Sequence, residues 1–229
     1  MFKIFNKKIK ANTNRGFTLV EMAVVAGIFG IITAVVVFKY GDFTSNLLVS
    51  NMAYEIALTT RQAQVFGVGV RGFELDGERE FDYPYGVYFN LNDGSSSEDG
   101  ESRNFTLFID RNDDLRCGDG SPTGQTTCTC SPGDECLEQY SMQRNIRLTE
   151  IRVGVNDCYA DFVTSAAVSF KRPNPEARIK NQGNNDDGFS FVQLKVEAPG
   201  SGINPSYVLI RSNGQISVSS NNICSQSII

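Results

Sequence analysis

Phe17 to Phe38 is an unbroken run of 22 residues, FTLVEMAVVAGIFGIITAVVVF, whose single charge is Glu21. About 20 apolar residues suffice to cross a bilayer as a helix, so this run reads as a transmembrane segment. Lys3, Lys7, Lys8, Lys10 and Arg15 precede it without an acidic residue among them, and Lys39 alone follows at once. By the positive-inside rule the N-terminus is then cytoplasmic, and residue 40 onward lies outside. A secretory signal carries its small-residue cleavage site after the apolar core, whereas here the small residue, Gly16, comes before it. Cleavage at Gly16 would spare the helix. A carboxylate at membrane depth costs about 2.5–3.5 kcal/mol on insertion scales, which makes Glu21 a functional-site candidate.

The chain of 229 residues is 41% apolar, enough for one domain-sized core beside this segment. Five of its 21 basic side chains lie in Met1–Gly16, leaving 16 against 26 acidic ones, net −10. That balance repels phosphate backbones, so nucleic acid is not an expected partner unless a local basic patch binds it. There is no histidine, which excludes histidine-based triads. No nucleophile elbow or phosphate-binding glycine loop is present either, so the chain is not read as an enzyme.

Arg15-Gly16-Phe17-Thr18-Leu19-Val20-Glu21-Met22 resembles the processing signal of type IV prepilins and of type II secretion pseudopilins. The resemblance implies that a prepilin peptidase/methyltransferase cuts between Gly16 and Phe17 and N-methylates Phe17. It implies that Glu21 is the carboxylate used in assembly. The partners implied are other pilin or pseudopilin subunits, the inner-membrane assembly platform and membrane lipid. The implied location is the cytoplasmic (inner) membrane, single-pass with the head outside, and then the pilus or pseudopilus. Physical chemistry agrees, since cleavage creates a cationic amine at Phe17 that Glu21 of a neighbour could offset in a packed filament. The rival reading is a signal anchor that merely tethers a domain.

Beyond Lys39, Leu48, Met52, Ile56, Thr59, Ala63 and Phe66 recur every three or four residues, an amphipathic stripe that continues the helix. With Gly67 and Gly69 as a stop, a helix from Phe17 to about Phe66 would be on the order of 75 Å long. The remainder reads as strands over Gly86–Leu91, Asn104–Asp110, Ile146–Val155, Ala166–Lys171, Phe189–Val196 and Tyr207–Val218. Ser212-Asn213-Gly214 makes the turn of a final hairpin. Loops are expected at Asn92–Arg103, Arg111–Glu135 and Lys180–Gly188. The organisation is a leader (1–16), a transmembrane helix (17–38), an amphipathic helix (39–66) and a β-rich head (67–229) with a cysteine-rich loop (117–136). The fold class is α+β, type IV pilin-like, with one long helix packed on antiparallel sheets. This pattern is similar to the minor pseudopilin called the H subunit. Phe108–Asp114 is similar to an aspartate-asparagine turn of such heads, whereas the insertion Cys117–Cys136 departs from them.

Six cysteines, Cys117, Cys128, Cys130, Cys136, Cys158 and Cys224, all lie on the exported side, where disulfides form; 15 full pairings remain open. The close set Cys117, Cys128, Cys130 and Cys136 also leaves a zinc site open, although its spacings are unlike zinc knuckles. Asp110, Asn112 and Asp114, at i, i+2, i+4, match the start of a calcium loop. Leu115 and Ser121 stand where such a loop needs glycine and glutamate, so an Asx turn without metal competes, and no cofactor is expected. Asp93, Glu98, Asp99 and Glu101 read as a solvated loop. Lys171, Arg172, Arg178 and Lys180 form the one cluster where DNA could bind, but without dense aromatic interleaving the footprint is weak and the cluster reads first as a solvated loop. The leading function is a structural, minor subunit of a pilus or pseudopilus, and the second is a tip subunit for adhesion or DNA uptake.

Overall fold

The computed structural model describes residues 16–69, 72–75, 78–92, 100–118, 128, 130, 135–156, 159–181, 186–199 and 203–222. The chain divides into two units, Met1–Gly41 and Asp42–Ile229. In the first, helix α1 (Leu19–Val68) begins. Thr18 caps it, its Oγ1 accepting the N–H of Glu21 at 3.2 Å. Threonine followed three residues later by glutamate is the pattern of a capping box, and an acid in the first turn also suits the helix dipole. Leu19–Phe38 is long and apolar enough to cross a membrane, and none of it is buried.

In the second unit, one face of α1 enters the core through Val49, Met52, Ala53, Ile56 and Ala63, with Leu48 and Phe66 partly buried beside them. Thr59 is buried on this face as well. Thr60 returns its hydroxyl to the Ile56 carbonyl at 2.8 Å, so burying it strands no donor. Gln64 donates to the carbonyls of Pro175 at 2.8 Å and Gly214 at 3.2 Å, pinning the helix to two turns of the head. Gly67, expected with Gly69 to stop the helix, lies inside its last turn, and the helix ends at Val68, directly before Gly69. A Cβ on Gly67 would meet the Phe170 carbonyl oxygen at 2.1 Å, so only glycine permits this approach.

Thirteen strands follow: β1 (Phe73–Leu75), β2 (Glu78–Glu80), β3 (Tyr85–Asn90), β4 (Asn104–Ile109), β5 (Cys136–Ser141), β6 (Arg147–Asn156), β7 (Tyr159–Val163), β8 (Ser165–Phe170), β9 (Ala177–Asn181), β10 (Asp186–Asp187), β11 (Phe191–Glu197), β12 (Ser206–Arg211) and β13 (Ile216–Ser219). They form a small hairpin, a six-stranded sheet in the order β10-β9-β8-β3-β4-β5, and a five-stranded sheet in the order β13-β12-β11-β6-β7. All described pairings are antiparallel. The class is therefore α+β, a long apolar helix with antiparallel sheets.

Period-two alternation builds the core. On β11, Val192, Leu194 and Val196 join it, whereas Gln193 does not; Val87 and Phe89 of β3 and Phe105 and Leu107 of β4 meet it from the other sheet. The final hairpin turns at Gly214, whose φ of 83° lies in the left-handed region that glycine tolerates. Two expectations change. Lys180–Gly188 is not simply a loop, because Lys180 and Asn181 end β9 and Asp186–Asp187 is β10. Strands β1, β2, β5, β7 and β9 also appear where no strand was expected; β1 and β2 pair only with each other, and β5 and β7 edge their sheets.

Candidate functional site

Asp110 follows β4 and is fully buried. Its Oδ1 accepts the N–H of Asp114 at 3.1 Å, and its Oδ2 that of Leu115 at 3.0 Å. Asp113 and Leu115 take left-handed backbone, φ 59° and 60°, to close this turn. Glu135, only 1% exposed, reaches the same place from 25 residues on, its Oε1 accepting the Arg111 N–H at 2.9 Å. Ile109 donates its N–H to the Glu135 carbonyl at 2.8 Å, which fixes Glu135 against the end of β4. Carboxylate oxygens of Asp110, Asp114 and Glu135 lie within 4.8 Å of one another.

Burial raises Asp110 from 3.8 to about 6, against the Leu115 N–H, with repulsion from Asp114 and Asp113 adding to the rise. Glu135 rises from 4.5 to about 7, again chiefly by burial, with the Arg111 N–H opposing and Asp110 and Asp114 repelling it. Of the expected calcium turn, the structure brings Asp110 and Asp114 together and adds Glu135. Asn112 stays outside, exposed, its side-chain oxygen accepting the Asp114 N–H at 3.2 Å. Among the described residues these three carboxylates are the group able to hold a cation. Both oxygens of Asp110 are already engaged by backbone, so the turn is held without one.

Disulfides close this loop. Cys117 pairs with Cys128, and Cys130 with Cys136, at Cα separations of 5.1 and 4.8 Å. The zinc reading falls with that pairing, since all four candidate thiolates are consumed. Cys158 and Cys224 lie outside the described residues. Cys117 packs with Tyr88, Phe108 and Ala167, and Cys128 covers them in part, so this bridge lies against one face of the six-stranded sheet.

The basic cluster is internally matched. Lys171 pairs with Asp113 at 2.8 Å, Arg178 with the same carboxylate, and Arg172 with Asp82 at 3.1 Å. Lys180 donates to the Asp114 carbonyl at 2.7 Å. Burial works against the Asp113 charge, but hydrogen bonds from Lys171 and Arg178 outweigh it and hold the carboxyl below its ordinary value. All four cations are thus engaged by the acidic turn or its neighbours. Glu101 of the expected solvated loop is ion-paired with Arg147; Asp93, Glu98 and Asp99 lie outside the described residues.

At the other end of the chain, Gly16 is exposed and Phe17 is 73% exposed, immediately before the capped start of α1. Residues 11–37 match the prokaryotic N-terminal methylation motif. The chain carries a prepilin methylation motif. With the apolar helix that follows, it is consistent with the type IV pilin and pseudopilin family, whose members are structural subunits. No curated protein and no solved structure matches the chain.

In this chain Glu21 has a local role that the motif alone conceals. It stands at the third helical position after Thr18, where an acid or amide completes the helix start. Glutamine would preserve that role and remove the charge. In the head, Glu135 escaped the sequence reading because it sits among polar residues next to Cys136. The available signal is its place directly before a disulfide cysteine and a strand.

Proposed function

We propose that the chain is a minor structural subunit of a type IV pilus or type II secretion pseudopilus. On this reading a prepilin peptidase removes Met1–Gly16 and methylates Phe17. The mature chain stands in the cytoplasmic membrane with its head outside, and the assembly platform draws it into the fibre through α1. The single observation carrying this is the methylation motif laid over a helix start whose next 20 residues are apolar and wholly exposed. Such a surface is stable only in lipid or against other helices. Glu21 gains a partner there if a neighbour's Phe17 amine reaches it.

A minor, H-subunit-like role is supported by a head of two antiparallel sheets built on one helix. Two disulfides, Cys117–Cys128 and Cys130–Cys136, add a feature beyond that plan. The DNA-uptake reading has no support of this kind, because Asp113 and Asp82 pair with three cations of its basic cluster and the Asp114 backbone carbonyl holds the fourth, Lys180. Intact mass of the protein recovered from peptidase-active cells tests the proposal. The expected value is that of residues 17–229 plus one methyl group and less the hydrogens of two disulfides or more. An unprocessed mass refutes it.

A further inference from the structure

The head buries one face of α1 and leaves the opposite face bare, although that face is apolar. Leu47 is 49% exposed, Tyr54 57%, Leu58 69% and Val65 60%. Their spacings of seven, four and seven residues put them within about 40° of one line on a helix of 100° per residue, over roughly 27 Å. These are a and d positions of one heptad frame, with Leu47 and Tyr54 at d and Leu58 and Val65 at a. Only two polar residues fall in the frame between them: Asn51 at a and Arg61 at d, both exposed. Where the frame ends, Arg61, Gln64, Val65, Val68, Gly69 and Pro175 line a groove of about 450 Å³.

The geometry points to a coiled-coil seam that seats the long helix of a different subunit, one with apolar heptads and a carboxylate opposite Arg61. This rests on the assembly reading above and names the partner it leaves open. A heptad repeat is what a second helix requires, since only that period keeps the seam facing its partner. The charge selects which helix. Arg61 hydrogen-bonds Gln64, and among the described residues no carboxylate pairs with it. Subunits sharing a membrane orientation pack parallel, so an in-register copy would bring two Arg61 guanidiniums face to face. A copy displaced by one heptad would set Asn51 against Leu58 and Arg61 against Val68. Both registers penalise self-pairing, which is how seams specify an unlike partner.

The test places a photoreactive amino acid at Leu47, Leu58 or Val65 of the full chain in its native cell, with exposed Phe162 of β7 as reference. Adducts are identified by peptide sequencing. The expected adducts join each helix position, above Phe162, to the long helix of a different subunit bearing the methylation motif. Arg61→Glu should lower their yield about tenfold or more, as like charges meet in the seam, and Arg61→Lys should retain it. Adducts confined to copies of this chain or to lipid, or yields indifferent to Arg61→Glu, overturn the seam. If they do so while the chain is still processed and recruited, the assembly reading stands. If the wild-type chain is never recruited into a fibre, that reading fails and takes the seam with it.

Discussion

Replacing Glu135 by glutamine should stabilise the head above neutral pH and leave it almost unchanged in mild acid. Raising Asp110 from 3.8 to about 6 amounts to about 3 kcal/mol at 1.36 kcal/mol per pH unit, and raising Glu135 from 4.5 to about 7 costs a similar amount. The two repel each other and titrate as a pair, so these figures do not add. For acids whose folded values are raised, the folded state holds more protons than the unfolded one between about pH 4 and 7. Stability at this site is therefore fully present below about pH 4 and is lost as pH rises through 6 to 7. Glutamine keeps an oxygen for the Arg111 N–H and offers an amide to the facing carboxylates. At pH 8 the expected gain is about 1–3 kcal/mol, a rise in Tm of about 2–12 °C for a chain of this size. The assay is thermal unfolding of the disulfide-intact chain in micelles, followed by near-ultraviolet circular dichroism from pH 4.5 to 8, with chelator present so that no cation offsets the charge. The reasoning is refuted if wild-type stability is flat across that range and Glu135→Gln is destabilising at pH 8.

Three further outcomes are expected. Glu21→Gln keeps the chemistry of a capping box, so insertion, cleavage and head folding should persist while crosslinking to partner subunits falls at equal membrane abundance; wild-type crosslinking would show the charge to be dispensable. Gly67→Ala drives a methyl into the Phe170 carbonyl and should cost about 1–3 kcal/mol in urea unfolding, more than an exposed helical glycine-to-alanine change, which is ordinarily favourable. Removing Cys117–Cys128 by a double alanine change opens a loop of separation 11 and should cost about 2–3 kcal/mol, while native protein should show at most two reactive thiols; four or more would contradict the pairing.

What could be read from the sequence was whatever is local. The preceding glycine, Gly16, adjoins the apolar run and Glu21 lies near its start, and the matched motif spans residues 11–37. The interior strands were readable as well, because β3, β4, β8 and β11 carry β-branched and aromatic residues that both faces of a sheet can bury. Strand β5, CLEQYS, was not: it is an edge with one wet face and a polar composition. Asp110 and Asp114 announced themselves by spacing, but Glu135 is brought to them across the cysteine loop, a distance in sequence that no local pattern reports. The partners of the basic cluster were hidden for the same reason. Lys171 and Arg172 follow β8 while Arg178 and Lys180 lie on β9, and the carboxylate paired with two of them, Asp113, lies 58 residues before Lys171 and 65 before Arg178.

The second half of α1 shows a different limit, one of interpretation rather than distance. Periodicity identified the face at Met52, Ile56 and Ala63, and the head covers it. Leu47, Tyr54, Leu58 and Val65 are equally visible in the sequence, yet an amphipathic reading expects one apolar face and assigns the other to water. A helix apolar on two opposite faces has to be buried twice. The head supplies only the first burial, and an apolar line of about 27 Å facing solvent is not a stable end state for a displayed subunit. The same reasoning applies to Leu19–Phe38, which lipid can satisfy before assembly. Lipid cannot reach Leu58 or Val65 if residue 40 onward stands outside the membrane, and on the seam proposed above the second burial comes from a partner helix.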